Sequence, residues 1–197
     1  ESQNLCWKII SPSNYAPSGR TGHIACAYKN KIYIFGGTDG IRCYNDMWCY
    51  DTQNNSWSEI SSMDFNPFPR CYHKAALVDD IIYIFGGITN DNKELSDLTA
   101  FRINQNIWHI FQKMGPTPSP CYGHTMTAAD DKVFIFGGES LDSKGIIHIL
   151  DTCKPGGPKR QVKSPLEKVT ESLPEIEEDQ AIDEKLNSIE ISTDNAK

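Results

Sequence analysis

Three histidines occupy equivalent places in the sequence, and they are the side chains that most invite a chemical role. His23, His73 and His124 each lie 13 positions before the first glycine of a Phe-Gly-Gly triplet. An imidazole can bind a metal ion or act as a general acid or base near neutral pH. Because each histidine repeats one position of its own segment, we expect a structural role instead, in which a hydrogen bond ties a loop to the next strand.

Two arginines also stand at equivalent positions, Arg20 and Arg70, and Cys121 takes this position in the third segment. A guanidinium at such a place can recognise an anion or pair with a carboxylate. Since the position belongs to the repeat, we expect an ion pair that braces a loop.

The cysteines do not form a recognisable ligand set. The chain has seven of them and no C-x-x-C pair or secretory segment, which favours a reducing, cytoplasmic compartment. Four lack the spacing of a zinc site, so we expect them to pack as small hydrophobic side chains; they are Cys43, Cys49, Cys71 and Cys121.

Composition disfavours several classes of partner. The net charge is -7 and no Lys/Arg cluster stands out, so nucleic acid is not expected to bind. No apolar run approaches the roughly 20 residues of a membrane helix, so we expect no membrane partner. No Gly-x-Gly-x-x-Gly phosphate loop follows a strand. The sequence therefore predicts no catalytic residue, no metal site and no cofactor.

The histidines belong to longer repeated segments that align without gaps: HIACAYKNKIYIFGG, HKAALVDDIIYIFGG and HTMTAADDKVFIFGG, at residues 23–37, 73–87 and 124–138. A tryptophan lies 29 residues before each glycine pair, and the units are spaced by 50 and 51 residues. Such a period indicates an architecture in which each unit needs its neighbours. Turn signals divide each unit into four short strands.

The strand before each glycine pair is apolar on both faces, as in Ile32–Phe35, Ile82–Phe85 and Val133–Phe136. We therefore expect each sheet to be covered by another on either side. The glycines should end these strands at positive φ, and the tryptophans should fill the space between adjacent sheets. These structural positions are Gly36, Gly37, Gly86, Gly87, Gly137, Gly138, Trp7, Trp57 and Trp108.

An apolar strand ending in Gly-Gly, a downstream strand preceded by Asp46 or Asp97, and a following tryptophan resemble the kelch repeat, whose family folds into β-propellers. The resemblance covers Leu5–Asp151. It implies an all-β fold, a partial kelch β-propeller of about three four-stranded blades with a disordered C-terminal tail. The kelch repeats would span residues 5–152, in units of about 5–57, 58–108 and 109–152.

The pattern departs from a complete propeller at both ends. The third unit lacks the aspartate and the final tryptophan, and Leu5–Ile10 resembles the last strand of a unit whose other strands are missing. Propellers typically close with about four to eight blades, so open blade edges are expected to favour self-association. Residues 153–197 are acidic, contain no aromatic residue and predict a disordered tail.

The kelch resemblance implies a non-enzymatic protein–protein interaction module or scaffold. The charged tail that follows the repeats favours a role in cell polarity, the cytoskeleton or trafficking. A ubiquitin-ligase substrate adaptor is one alternative. Another is a fragment of a galactose-oxidase-like copper enzyme, although the tyrosines that could suggest it stand at repeated positions and complete no ligand set: Tyr33, Tyr72, Tyr83 and Tyr122.

Partners are expected at the loops, because propeller strands stay nearly constant while the loops vary. Phe65 and Phe68 are either exposed anchors or side chains packed under their own loop. The candidate partner-binding residues are Asp39, Arg42, Tyr44, Asn90, Asp91, Lys93, Phe65 and Phe68.

Overall fold

The chain forms three antiparallel sheets in a computed structural model. The structure describes residues 6–61, 65–111, 117–139 and 146–152. The tail predicted at 153–197 lies outside the described residues. Among the described residues, no helix is long and apolar enough to cross a membrane.

Eleven strands of five residues each build the sheets. They are β1 (Ile24–Tyr28), β2 (Lys31–Phe35), β3 (Met47–Asp51), β4 (Ser56–Ile60), β5 (Lys74–Val78), β6 (Ile81–Phe85), β7 (Leu98–Arg102), β8 (Ile107–Phe111), β9 (Thr125–Ala129), β10 (Lys132–Phe136) and β11 (Ile147–Asp151).

Each sheet is a simple up-and-down meander of strands that are consecutive in sequence. We call β1–β4 blade 1, β5–β8 blade 2 and β9–β11 blade 3. The first two strands of every blade join through two-residue turns, whose first residues, Lys29, Asp79 and Asp130, have φ of 53°, 55° and 54°. The predicted all-β fold of three blades is confirmed, with three strands in the described part of blade 3.

Blade 2 is covered on both faces, as its apolar central strand predicts. Every residue of β6 is buried. Ile82 and Ile84 belong to one core with Phe35 of blade 1. Tyr83, on the opposite face, belongs to a second core with Val133 of blade 3. Alternate side chains of one strand therefore join blade 2 to both neighbours.

The glycine pairs form the backbone seam between blades. The Gly37 amide donates to the Arg70 carbonyl at 2.9 Å, and the Arg70 amide donates to the Tyr44 carbonyl at 3.0 Å. Gly37 has φ +94°, and a Cβ on Gly36 would lie 2.8 Å from the Arg70 carbonyl oxygen. Positive φ and close approach both require glycine here.

The same bonds recur between blades 2 and 3. The Gly87 amide donates to the Cys121 carbonyl at 2.9 Å, and the Cys121 amide donates to the Leu95 carbonyl at 3.2 Å. Arg70 and Cys121, which share one repeat position, thus use the same backbone atoms in successive seams. The repeat holds at the level of individual hydrogen bonds.

The three tryptophans that share the repeat position differ in burial. Trp108 of blade 2 is 7% exposed and its ring lies 4.8 Å from that of Phe35 in blade 1. Trp57 is half-buried against Tyr50 of its own blade.

Trp7 is fully exposed and lies outside any strand, so the assignment of this residue as an inter-blade filler is wrong. The described part of the chain provides no sheet against which its ring could pack. The segment after it binds the outer edge of blade 1 instead. The Asn14 side chain donates to the Trp57 carbonyl at 2.6 Å and accepts from the Trp57 amide at 2.8 Å.

Candidate functional site

An open groove of about 360 Å³ lies on the rim of blade 2. One wall is the segment Phe68–Pro69, which leads into the blade, and the other is the β6–β7 loop. The groove is lined by Phe68, Pro69, Thr89, Asn90, Asp91, Lys93 and Leu95. Four candidate partner-binding residues therefore meet at one place: Phe68, Asn90, Asp91 and Lys93.

Arg70 ties the two walls together. Its Nε donates to the Phe68 carbonyl at 3.1 Å. Its two Nη atoms donate to the carboxylate of Asp97, at the end of the β6–β7 loop, at 2.8 and 2.7 Å. Nη1 also donates to the Gly86 carbonyl at 3.1 Å. A planar guanidinium makes such a bidentate contact with a fixed orientation, so one buried side chain links the two segments that form the walls.

The arginine of blade 1 makes the same contacts. Arg20 donates to the Asp46 carboxylate at 2.6 and 2.9 Å, to the Gly36 carbonyl at 3.0 Å and to the Ser18 carbonyl at 3.2 Å. The predicted loop-bracing ion pairs are confirmed. Although burial alone would raise the pKa of Asp46, hydrogen bonds from Arg20 and Trp48 hold it below its usual value.

Blade 1 differs from blade 2 because a tyrosine fills the equivalent space. Tyr44 makes the backbone contacts that Leu95 makes in blade 2. Its hydroxyl accepts from Ser18 Oγ at 3.2 Å and donates to Asp39 at 2.7 Å. Its ring lies 4.2 Å from the Arg20 guanidinium and 5.1 Å from that of Arg42. Leucine is shorter, so in blade 2 this space opens as the groove.

The candidate residues of blade 1 therefore bind one another. Asp39 accepts from the backbone amides of Ile41 and Arg42, at 2.9 Å each, as well as from Tyr44. These bonds, with that from the Arg42 backbone first, lower the pKa of Asp39 to about 2. Asp39 and Tyr44 thus have hydrogen-bond partners within the cluster, whereas the Arg42 side chain is 68% exposed and lies 3.8 Å from Asp39.

Side-chain hydrogen bonds hold the β6–β7 loop in a tight turn at the groove, and several of its side chains remain exposed to solvent. The Thr89 hydroxyl donates to Asp91, which lowers the pKa of that carboxyl, and Lys93 N donates to Thr89 Oγ1 at 3.2 Å. The Phe68 side chain is 70% exposed, so of the two alternatives for this residue the exposed one is observed. Phe65 is also exposed but does not line the groove.

The repeated histidines pack in the seams. The His73 ring meets the edge of Phe35 at 5.4 Å, and the His124 ring meets that of Phe85 at 5.7 Å. Burial, aided by the charges of Arg70 for His73 and of Lys74 for His124, lowers their pKa values to about 3 and about 4. Both rings are therefore neutral near pH 7.

The hydrogen bond expected for His73 is not made: neither ring nitrogen has a partner of normal geometry among the described residues. The ring is held by packing against an aromatic side chain, an interaction that residue spacing alone cannot distinguish from hydrogen bonding. His23, at the exposed face of blade 1, is itself exposed.

The residues that would suggest a copper site are dispersed. Tyr33 lies in the core between blades 1 and 2, and Tyr83 lies in the core between blades 2 and 3. Burial is the main reason that the pKa of Tyr33 rises to about 12. Within the described ranges, no group of three His, Cys, Asp or Glu side chains could hold a metal ion.

We predict that Asp97→Ala destabilises the protein by about 2–3 kcal/mol, because it leaves the buried Arg70 charge without its carboxylate. Breaking a fully buried pair costs about 3–5 kcal/mol, and the 30% exposure of the Asp97 side chain reduces this. Urea unfolding measures the effect. The matched control is Asp151→Ala, which breaks an exposed pair with Lys132 at 3.3 Å and should cost at most about 1 kcal/mol. Equal losses in the two variants would contradict the bracing role.

The sequence is similar to proteins built from kelch repeats. A family model described as the KLHDC2/KLHL20/DRC7 Kelch-repeats domain matches residues 1–138. Tip elongation aberrant protein 1 of Schizosaccharomyces pombe is 49% identical over 150 residues, which are 75% of this chain and 13% of that protein. Leucine-zipper-like transcriptional regulator 1 of Homo sapiens is 30% identical over 140 residues, 67% of this chain and 16% of that protein.

Rab9 effector protein with kelch motifs of Xenopus laevis is 31% identical over 155 residues, 74% of this chain and 41% of that protein. The chain thus spans less than half the length of each of these three relatives. The family-model match, residues 1–138, covers blades 1 and 2, both seams and the first two strands of blade 3. On this evidence the chain belongs to the kelch-repeat family.

Proposed function

We propose that this chain is part of a protein-interaction module, and that the groove of blade 2 binds an extended segment of a partner protein. The observation that carries the proposal is that Leu95 of blade 2 takes the position that Tyr44 fills in blade 1, which leaves a lined groove on the rim of blade 2. Concave, mostly apolar sites with a few polar groups are typical binding sites.

The lining indicates the chemistry of the partner segment. Phe68, Pro69 and Leu95 offer apolar contact, and exposed aromatic residues are frequent anchors of binding energy. Asn90, Asp91 and Lys93 surround them with an amide and one charge of each sign. A segment with one apolar side chain flanked by polar residues of mixed charge suits this site.

The relatives support a finer proposal about process. The name of the S. pombe protein refers to tip elongation, and that of the X. laevis protein to an effector of Rab9. We propose a role in polarity, the cytoskeleton or trafficking for this chain as well, as a cytoplasmic scaffold without catalytic activity. From composition we still predict that neither nucleic acid nor a membrane is a partner.

Self-association through the blade edges also remains a prediction. The outer face of blade 3 carries exposed apolar side chains, among them Phe136, Ile147 and Ile149. Phe136 is 38% exposed, whereas its equivalents Phe35 and Phe85 are buried under the next blade.

Selection of linear peptides from a random display library on the immobilised full chain tests the groove. We expect the selected peptides to bind Leu95→Tyr at least about tenfold more weakly, because tyrosine fills the space as in blade 1. Arg42→Ala is the matched control, since it removes an exposed rim side chain outside the groove and should leave binding unchanged. Failure to select any peptide, or equal binding to Leu95→Tyr, would contradict the proposal.

A further inference from the structure

Two cysteines meet where blade 1 contacts blade 2. The sulfur of Cys43, in the β2–β3 loop, lies 3.5 Å from the sulfur of Cys71, just before β5. Both sulfurs also lie 3.8 Å from the same carbonyl oxygen, that of Ile88. The two side chains therefore point at one spot from two different blades.

Backbone contacts fix both cysteines in place. Cys43 forms an isolated bridge with Thr38, and its amide donates to the Asn90 side chain of blade 2 at 2.5 Å. Cys71 forms an isolated bridge with Ile88, with hydrogen bonds in both directions at 3.0 and 2.9 Å. These contacts hold the backbone of each cysteine in place, with the two sulfurs facing each other across the seam.

We propose that Cys43 and Cys71 are a covalent modification site, at which a reversible disulfide joins the β2–β3 loop of blade 1 to blade 2. The sulfurs are already in van der Waals contact, 3.5 Å apart, and approach to the S–S bond length of about 2.05 Å when the disulfide forms. The inference is independent of what the groove binds, because it concerns only the two thiols and the seam between the blades.

The two thiols differ in solvent exposure, and this difference determines which of them reacts first. Cys43 is partly exposed, whereas Cys71 is 5% exposed. With a small-molecule disulfide as the oxidant, the Cys43 thiolate attacks one of its sulfurs, forms a mixed disulfide and releases one thiol. The Cys71 sulfur then attacks that of Cys43 and releases the second thiol. The protein loses two electrons and two protons, and the oxidant gains them.

Three of the other described cysteines provide internal comparisons. Cys49 is buried in the core between blades 1 and 2, and Cys121 is buried beside His124. Cys6 is exposed, outside any strand. Exposure alone would make Cys6 the first thiol to react, but a mixed disulfide on Cys6 is not expected to be resolved by a neighbouring cysteine.

The test is to incubate the full 197-residue chain with glutathione disulfide and then to digest it with trypsin without reduction. Cleavage after Arg42, Arg70 and Lys74 releases Cys43 in peptide 43–70 and Cys71 in peptide 71–74. We expect these two peptides to be joined, with a combined mass lower by two hydrogen atoms than that of the separate peptides. Fragmentation of the joined species should place the link at Cys43 and not at Cys49, which shares the longer peptide.

Two variants sharpen the result. Cys43→Ala should abolish the link, whereas Cys6→Ala should form it as the unmodified chain does. The oxidised chain should also unfold at a higher urea concentration than the reduced chain, because the link constrains the unfolded chain between residues 43 and 71, and a dithiol reductant should reverse the shift. Glutathione retained on Cys43 without a link, a link that persists in Cys43→Ala, or no reaction at either residue would overturn the proposal.

Discussion

Trp108→Ala is expected to lower the free energy of unfolding by about 3–5 kcal/mol, the cost of truncating a large aromatic side chain in a core. The ring of Trp108 lies between Phe35 of blade 1 and Phe101 of blade 2, at centroid distances of 4.8 and 5.0 Å. Its loss leaves a cavity in the seam, so both blades lose contacts at once. Urea unfolding followed by far-ultraviolet circular dichroism measures the change without depending on tryptophan fluorescence.

The equivalent tryptophans supply graded controls. Trp57→Ala should cost less than Trp108→Ala, because Trp57 is half-buried and packs on Tyr50 of its own blade. Trp7→Ala should change the stability by no more than about 0.5 kcal/mol, as for other exposed positions. A ranking in which Trp7→Ala costs as much as Trp108→Ala would contradict the packing of these residues between blades.

Gly86→Ala should destabilise the protein by about 2–5 kcal/mol, for two reasons that add. Gly86 has φ +65°, and a left-handed conformation costs a residue with a Cβ about 1–2 kcal/mol. In addition, the new Cβ would clash with the carbonyl oxygen of Cys121 in blade 3, and overpacking of this kind typically costs about 1–3 kcal/mol. The seam cannot easily move, because the Gly87 amide beside it donates to the same carbonyl.

Gly137→Ala separates the two contributions. Gly137 is the equivalent residue of blade 3 and has a similar φ of +61°, but no described atom lies within 4 Å of the Cβ position. This variant should show only the conformational cost of about 1–2 kcal/mol. The difference between the two variants in urea unfolding is the steric cost of the seam, and equal losses would show that no blade packs closely on Gly86.

Much of the fold follows from patterns that are visible in the sequence. A strand such as Ile81–Phe85, apolar at every position, can be stable only between two covered faces, and blade 2 has both. The ion pairs of Arg20 and Arg70 could be anticipated because a charged residue at a repeated position requires a repeated partner, and Asp46 and Asp97 recur at the matching place.

The errors arise where a repeat position has surroundings that its spacing does not predict. Trp7 has the spacing of Trp57 and Trp108, but a side chain that fills a gap between blades needs a blade on the other side. His73 has the position predicted for a hydrogen bond, yet the seam brings its ring against Phe35. Spacing identifies the position, whereas the interaction depends on which side chain the adjacent blade supplies.

The groove was not predictable from its own residues. It depends on the contrast between Tyr44 and Leu95, which sit in loops of unequal length, seven and eight residues after Gly37 and Gly87. Only the hydrogen bonds of the seam establish that these two residues are equivalent. Likewise, the pairing of Cys43 with Cys71 becomes visible only when the blades are stacked.

Amide hydrogen exchange of the full chain, measured by NMR, tests most directly whether the blades stack through a repeated seam. The amides of Gly37 and Gly87 donate across the two seams, whereas Gly138 has no such acceptor among the described residues. We predict that Gly37 and Gly87 exchange at least about 100-fold more slowly than Gly138, after correction for intrinsic rates, because seam opening must precede exchange. Exchange of Gly37 and Gly87 as fast as that of Gly138 would show that the blades do not pack in this way.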